Sequence, residues 1–344
     1  MCPRRATHLN QHPCVTTWGT IVMLRRRRFL VLAAGAVALP AASRIVLAQT
    51  YPTRPVRIII GFPAGITPDA IARLVAQSLS IGLGQQFVVE NRPGAATNIA
   101  TEIVAHAQGD GYTLLVISST NTINITLFDN LGFDFVQDIA PVAGLFRSPN
   151  ILAINPVVPA KTLPEFIAYA KANPRKINYA SAGNGTATNL AGELFKAMAG
   201  IDMVHVPYRS SYFPDLLSGQ VQATFAPGAV ALEYVSAGKL RALAVTGVKR
   251  SDALPDIPTV AEFVPGYEAY VWDGIGAPRA TPVEIIGRLN KEINAVLSDP
   301  NMQARLQKFG AEPMVMTPVE LEKFIAADCR KWAGVVKVAN IKSD

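Results

Sequence analysis

Cysteine is scarce in this chain, which excludes a fold held together by disulfides. The sequence has three cysteines, and Cys2 and Cys14 precede the segment interpreted below as an export signal. Cys329 would remain alone after export, so no internal disulfide can form. Its neighbours Phe324 and Trp332, in an apparent helix, favour a buried and inert thiol over a nucleophile.

An excess of one charge sign is missing from most of the chain. The net charge is +7, but seven arginines and no acidic residue lie in positions 1–48. The rest holds 25 basic and 25 acidic residues. It therefore offers no electrostatic footprint for a phosphate backbone, and we expect no nucleic-acid partner. Half of all residues are apolar and 17% are charged, which excludes a disordered chain.

Apolar runs long enough to cross a membrane are missing too. Residues 29–39 form an apolar run of about a dozen residues, short of the ~20 that span a bilayer. The run follows four arginines at 25–28 and precedes a small-residue ending at Ala48, which is the order of a cleavable export signal. We expect residues 1–48 to be an upstream extension plus a signal peptide starting at Met23, and the mature chain to be periplasmic. A twin-arginine signal and a general secretory signal both fit.

The motifs of common enzyme sites are also missing. The sequence has no phosphate-binding loop, nucleophile elbow or zinc motif, and Gly183-Asn184-Gly185 lacks the third glycine of a dinucleotide site. Beyond residue 48 the histidines are His106 and His205. A structural role is favoured for both, although a serine–histidine dyad through His205 stays open. We expect no catalytic residue, no metal and no cofactor.

The pattern that is present alternates short β-branched runs with helical stretches, which is typical of βαβ units with largely parallel sheets. Strands are predicted at 56–60, 87–90, 112–117, 177–181, 203–206, 240–245 and 267–272. A helix is predicted to start with Thr67 at its cap and Pro68 at its first position. Three capping boxes predict further helix starts, at Thr162, Thr281 and Thr317.

No long linker divides the chain, so two lobes would have to be joined by strands that cross between them. We place the crossings near 150–155 and 267–274. The C-terminal helices would then return to the first lobe. The predicted division is residues 49–150 and 271–344 for lobe 1, and residues 151–270 for lobe 2.

A strand–loop–helix element occurs twice, at 58–69 and at 179–189. In each, a strand ends in a loop of small residues and a helix begins with hydroxyl side chains. A helix N-terminus has unpaired N–H groups and a partial positive charge, which suit an anion. Two such ends facing each other would hold a dicarboxylate. The same pattern also fits two ordinary βα turns, and Asn184-Gly185 fits a tight turn.

Many short motifs in this chain resemble one family in the right order. They include Tyr51-Pro52-Thr53-Arg54-Pro55, Glu90-Asn91-Arg92-Pro93-Gly94-Ala95, Tyr179-Ala180-Ser181-Ala182-Gly183-Asn184-Gly185 and His205-Val206-Pro207-Tyr208. The chain resembles the Bug family of periplasmic solute-binding proteins, which serve tripartite tricarboxylate transporters. The likeness runs from Tyr51 to about Asp344.

The resemblance implies a type II, Venus-flytrap protein with two α/β lobes that close on a small mono- or dicarboxylate. It implies inner-membrane permease subunits as partners, and we expect a monomer. A sensor protein that presents its ligand to a membrane signalling system is the alternative, and a hydrolase on the same fold is a weaker one. The ligand-binding residues that it implies are Ala64, Gly65, Ile66, Thr67, Asp69, Ala182, Gly183, Asn184, Gly185, Thr186 and Thr188, with Ser118, Thr120, Asn121 and Tyr208 as further contacts.

The chain departs from the family pattern in three places. Ile66 stands where the family has the last glycine of Pro-Gly-Gly, and its side chain would narrow the pocket or make it more apolar. Arg209 and Ser210 replace Lys-Gly, and Arg209 fits either a bidentate contact to a distal carboxylate or a solvated surface position. The strand around Phe225 offers no acid to an amine, which disfavours an α-amino acid ligand.

Overall fold

The computed structural model describes residues 51–208, 210–251 and 254–342. The predicted export signal and Arg209 lie outside these ranges. The strands are β1 (Val56–Ile60), β2 (Phe87–Asn91), β3 (Thr113–Ser118), β4 (Ile139–Ile154), β5 (Asn178–Ser181), β6 (Val204–Pro207), β7 (Ala223–Pro227), β8 (Arg241–Val245), β9 (Tyr270–Pro278) and β10 (Glu312–Pro313). The helices are α1 (Thr67–Leu83), α2 (Asn98–Ala105), α3 (Ser119–Leu127), α4 (Phe135–Asp138), α5 (Leu163–Ala172), α6 (Ala187–Ala199), α7 (Phe213–Ser218), α8 (Gly228–Ser236), α9 (Val283–Ser298), α10 (Pro300–Lys308) and α11 (Pro318–Val338).

The strands form a mixed sheet in the order β2-β1-β3-β9-β4-β7-β5-β6, with β8 and β10 also paired to β4. Parallel pairs lie on both sides: β1 with β2 and β3, and β5 with β6 and β7. Between them, β4 and β9 run antiparallel to their neighbours. Each side is therefore an α/β unit, and two long strands connect the two sides.

β4 changes partners halfway along its length. Its residues from Ile139 to Pro149 pair with β9, and those from Asn150 to Ile154 pair with β7. The strand thus leaves one α/β unit and enters the other within a single residue step. The predicted crossing near 150–155 agrees with this change, although the lobe boundaries themselves stay a prediction.

The carboxyl ends of the parallel strands point towards each other. β3 runs in the same direction as β4, because both are antiparallel to β9, and Ser118 at its end lies beside Asp273. Asp273 in turn pairs with Phe146 of β4. β7 runs in the opposite direction and ends with Pro227 beside Asn150 of β4. At about 3.3 Å per residue, the two ends are separated by roughly 13 Å along β4.

Each side has its own apolar core. On the first side, Ile58, Leu114 and Ile275 of the sheet pack with Ile71 of α1 and Leu289 of α9. Buried apolar residues recur at helical spacing along α1 and along α9, so each helix packs one apolar face against the sheet.

On the second side, Tyr179 of β5 and Phe225 of β7 pack with Phe166 and Phe195 of α5 and α6. Trp332 of α11 belongs to this core as well. The α11 residue Asp328, one turn earlier, accepts hydrogen bonds from Thr122 of α3 at 2.7 Å and from the Trp272 indole of β9 at 2.9 Å. α11 therefore contacts both sides of the molecule.

Several element boundaries differ from the sequence predictions. α1 begins at Thr67 with Ile66 as its cap, one residue earlier than expected, because the Ile66 carbonyl accepts the first helical hydrogen bond, from the Ala70 N–H at 3.0 Å. The capping box at Thr281 is wrong: α9 begins at Val283, since the Pro282 carbonyl accepts its first hydrogen bonds.

Two other helix starts agree with the sequence predictions. The Thr317 capping box is confirmed, and the Thr162 hydroxyl caps α5. β9 begins three residues later than predicted, at Tyr270, and continues to Pro278. Within the described residues, no helix combines the length and the apolar character needed to cross a bilayer.

Candidate functional site

The first candidate loop connects β1 to α1 and lies at the carboxyl edge of the sheet. Ala64, Gly65 and Ile66 are exposed there, and Gly65 has a left-handed φ of 87°. Gly61 at the start of the loop has no room for a side chain, since a Cβ would lie 2.5 Å from that of Thr97. The loop therefore presents backbone amides, the small side chain of Ala64 and the larger side chain of Ile66 to its surroundings.

Asp69 supports this loop from below. Its carboxylate accepts from the Gly65 N–H at 2.9 Å, from Asn91 Nδ2 at 2.8 Å and from the Arg73 guanidinium at 3.1 Å. Burial raises the pKa of Asp69, but the hydrogen bonds from Arg73, Gly65 and Asn91 outweigh it and lower the pKa below its usual value. The carboxylate is 3% exposed and stays ionised, so it holds the loop and is not turned outward.

The start of α3 follows β3 at the same edge. Ser118 and Asn121 form a capping box, in which Asn121 Oδ1 accepts from the Ser118 N–H at 2.8 Å. The amide of Asn121 donates to Thr101 Oγ1 at 2.8 Å. Ser118 and Asn121 are each 2% exposed, whereas Thr120 is half-buried. The predicted side chains at 118 and 121 thus shape the helix start from inside.

The second candidate loop connects β5 to α6, and its side chains bond mainly within it. Thr188 Oγ1 accepts from the Ala182 N–H at 3.2 Å, and Asn189 Oδ1 accepts from the Gly185 N–H at 3.0 Å. Thr186 Oγ1 donates to the Gly183 carbonyl at 2.8 Å and caps α6. Ala182 is exposed, while Asn184 is half-buried. As in the first loop, the outward surface consists mostly of backbone and small side chains.

Gly185 is fixed by its surroundings. Its φ is +71°, and a Cβ there would collide with Leu127 at the end of α3. The structure therefore brings the second loop against the helix that begins at Ser118, so residues from both sides of the molecule meet here.

Ser181 and His205 form the dyad that the sequence left open. Ser181 Oγ lies 2.6 Å from His205 Nε2, and it also accepts from the Gly183 N–H at 3.1 Å. Ser181 is fully buried, and its hydroxyl donates to the Gly183 carbonyl. A buried hydroxyl with these contacts fixes the Gly183 peptide and is not placed to attack a substrate.

Tyr208 follows β6 at the same edge as the second loop. Its N–H donates to the Ser181 carbonyl at 3.0 Å, and its hydroxyl donates to Asp215 at 2.6 Å. Burial, followed by the Asp215 carboxylate, raises the pKa of Tyr208 to about 12. The residue is half-buried, and its hydroxyl remains protonated at any physiological pH.

Sequence reasoning missed Asp273, the one acid of the strand Tyr270–Pro278. It is 1% exposed, and neither of its carboxylate oxygens has a hydrogen-bond partner among the described residues. Burial raises its pKa to about 8. An acid between Trp272 and Gly274 in an otherwise apolar run was the available signal.

The chemical character of the site follows from these contacts. Among the described residues, no group of three or more histidine, cysteine or acidic side chains is arranged to hold a metal ion. The thiol of Cys329 is half-buried, and burial raises its pKa to about 12, as expected of an inert thiol. Three helix starts, at 67, 119 and 187, follow the carboxyl ends of strands on the two facing edges, and helix N-termini favour a negatively charged ligand.

Comparison with known proteins agrees with this description. The family described as tripartite tricarboxylate transporter family receptor matches residues 71–341. The protein BugT of Bordetella pertussis is 36% identical over 302 residues, which cover 86% of this chain and 93% of BugT.

Two solved structures from Rhodopseudomonas palustris carry bound acids. Rpa4515 with adipate is 36% identical, with a TM-score of 0.75 and coverage of 85% of this chain and 99% of that one. MatC with malate is 31% identical, with a TM-score of 0.70 and coverage of 83% and 100%.

The chain belongs to the family of tripartite tricarboxylate transporter receptors. This assignment confirms the resemblance to the Bug family, the two-lobed α/β fold and the prediction of a solute receptor for this type of transporter.

Proposed function

We propose that the protein captures a small mono- or dicarboxylate between its two lobes in the periplasm and delivers it to the permease subunits of a tripartite transporter. The observation that carries this proposal is the pair of small-residue loops on facing carboxyl edges, each leading into a helix N-terminus. The adipate and malate bound to Rpa4515 and MatC support a carboxylate ligand. The receptor acts as a monomer.

The lobes in this proposal are residues 49–150 with 271–344, and residues 151–270. The change of partners along β4 supports this division. Closure is a population shift, in which open lobes dominate without ligand and a ligand touching both lobes favours the closed form. Because α11 packs on both sides of the molecule, it restrains the lobes, so closure takes place by bending of the connecting strands.

In this proposal the ligand is bound mainly by backbone amides of the two loops. Ala64, Gly65, Ile66 and Thr67 present the first set, and the second comes from Ala182, Gly183, Asn184, Gly185 and the start of α6. Asp69, Thr186 and Thr188 position these amides, because their side chains are already bonded to the loops. Asn121 positions the Ser118 amide at the start of α3 in the same way. The Ser181–His205 pair does the same for Gly183, which supports a receptor over a hydrolase.

The test is binding of defined acids to the mature chain. Native mass spectrometry would identify a co-purified acid, and a thermal-shift series would cover mono- and dicarboxylates including adipate and malate. A ligand at about 100 times its Kd adds roughly 2.7 kcal/mol, which corresponds to a Tm increase of roughly 5–10 °C for a chain near this size. If no acid in the series raises the Tm, the ligand class is wrong.

A charge variant tests the second loop. Gly185→Asp is unsuitable, since any side chain at Gly185 collides with Leu127. Ala182 is exposed, so Ala182→Asp adds a negative charge beside the proposed anion site without disturbing the core. We expect it to weaken binding of the identified acid by about tenfold or more.

The matched control is Ala304→Asp, which adds the same charge at an exposed position of α10. It should bind as tightly as the unmodified protein. Equal affinity of Ala182→Asp and the control would remove this loop from the site.

A further inference from the structure

Asp273 lies in the row of residues that closes the carboxyl edge of the first lobe. It pairs with Ser118 on one side and with Phe146 on the other. The parallel pairing of β1 and β3 sets Ile59 opposite Leu115. If this register is extended by three residues, Phe62 of the first loop lies opposite Ser118. Asp273 is therefore two strands away from the first candidate loop, and Ser118 between them caps α3.

The side chain of Asp273 projects to the face of the sheet that α1 covers. Ile275 and Ala277, two and four positions further along β9, lie on the same face of the sheet as Asp273. Both pack in the same core as Ile71 of α1. Phe146, its cross-strand partner, belongs to that core, and Phe62 packs against it. The carboxyl group thus borders the apolar core beside the loop that leads into α1.

No group among the described residues forms a hydrogen bond with the Asp273 carboxyl group. Both oxygens are buried without a hydrogen bond, which is rare in folded proteins and calls for an explanation. Burial is the cause of its raised pKa, so no nearby charge contributes. Of the charged groups on the helices that cover this face, Asp69 and Arg73 of α1 are bonded to each other. Glu292 of α9 is half-buried, and the others are exposed: Glu284, Arg288 and Lys291 of α9, and Arg305 and Lys308 of α10.

The charges nearest along the strands lie on the opposite face. Arg147 pairs with Trp272, bonds Glu312 at 3.1 Å and lies over the Tyr270 ring. Asp328 reaches Trp272 from that same face. No cation therefore accompanies Asp273, and a carboxyl group in this setting carries its proton at neutral pH.

We propose that Asp273 is a ligand contact whose protonated carboxyl donates a hydrogen bond to a carboxylate oxygen of the bound acid. The proposal rests on the function inferred above. A neutral acid that donates to an anion fits a position beside a helix N-terminus, where negative charge is favoured. An ionised carboxylate there would repel the same ligand. Asp273 thereby selects a carboxylate over an amine at this end of the ligand.

The affinity for the acid depends on the protonation of Asp273 in a defined direction. The ligand binds the protonated form, so affinity is constant below the pKa of about 8 and falls as the pH rises above it. Between about pH 7 and about pH 9.5, the Kd should increase about 30-fold. Binding at the higher pH should also take up close to one proton.

The experiment is isothermal titration calorimetry with adipate and malate from about pH 6.5 to about pH 9.5. Two buffers of different ionisation enthalpy report the proton uptake. Asp273→Asn keeps a donor but does not titrate, so its Kd should stay flat while its melting curve shows that it folds. Asp129→Asn, at an exposed position, is the matched control and should keep the full pH dependence.

Three results would overturn the proposal. One is an unmodified protein whose Kd for the acid does not change over this range. Another is an Asp273→Asn variant that loses affinity with pH as the unmodified protein does. The third is tighter binding of 6-aminohexanoate than of adipate, with the advantage lost in Asp273→Asn, which would make the residue an amine contact. Acid that binds without pH dependence refutes this inference alone, whereas acid that fails to bind at every pH refutes the proposed function with it.

Discussion

Replacing Asp273 by asparagine should make the ligand-free protein more stable, relative to the unmodified protein, as the pH rises. The pKa of this carboxyl is about 8 in the folded chain, against about 3.9 for an unfolded aspartate. Between these values the folded state holds a proton that the unfolded state has released. The stability that this proton represents is complete below about pH 4 and is lost as the pH rises through about 8.

The magnitude follows from the size of the pKa shift. Each pH unit between about 4 and about 8 removes ~1.4 kcal/mol from the free energy of unfolding, so the loss reaches ~4 kcal/mol at neutral pH. Asparagine does not titrate and escapes this loss. Its own buried amide adds a constant cost of ~1–3 kcal/mol when unpaired, which shifts the whole comparison but not its slope.

Urea unfolding of both proteins, at pH values from about 5 to about 9, measures the effect. The free energy of unfolding of Asp273→Asn, relative to the unmodified protein, should rise by ~1.4 kcal/mol per pH unit and level off above about 8. All other titrating groups are common to both and cancel. Two parallel curves would show that Asp273 titrates normally, and the account of its burial would fail.

Two further positions, Gly185 and Asp328, test contacts between separate elements of the fold. Gly185→Ala should cost more stability than Gly84→Ala, because both glycines have a φ of +71° but only Gly185 faces Leu127, and urea unfolding should show ~1–2 kcal/mol common to both plus an added loss for Gly185. Equal losses would mean that Leu127 moves aside freely. Asp328→Ala should lower the free energy of unfolding by ~1–3 kcal/mol, since it leaves the buried indole N–H of Trp272 without an acceptor, whereas the Thr122 hydroxyl keeps the Ser119 carbonyl. A loss below ~0.5 kcal/mol would contradict the Trp272 hydrogen bond described.

The sequence predicted most of the strands because their signals are local. β1 begins and ends where its β-branched run does, and α1 ends at Leu83 because Gly84 caps it with a left-handed φ that glycine permits. β4 was not predicted along its length, since Pro141, Gly144 and Pro149 interrupt its pattern. The register shifts between Pro141 and Ala143 and between Gly144 and Phe146 accommodate two of these residues.

The candidate site was predictable in position but not in detail. Small residues between a strand and a helix marked both loops correctly as loops at the carboxyl edge. The role of Asp69 depends on Asn91, 22 positions later, and that of Ser181 depends on His205, 24 positions later. No pattern within one element encodes such contacts, because the sheet order alone brings these residues together.

Backbone amides cannot tell one carboxylate from another, so selectivity must come from the few side chains that the loops present. Ile66 is one of them: its side chain is 42% exposed, and it follows the small residues Ala64 and Gly65. Ile66→Gly removes an apolar contact that the methylene chain of adipate can use and that hydroxylated malate uses less. We expect the affinity for adipate to fall by ~1 kcal/mol, about fivefold, while that for malate changes little. Titration calorimetry of both acids measures the ratio, and a ratio unchanged by the substitution would place Ile66 outside the pocket.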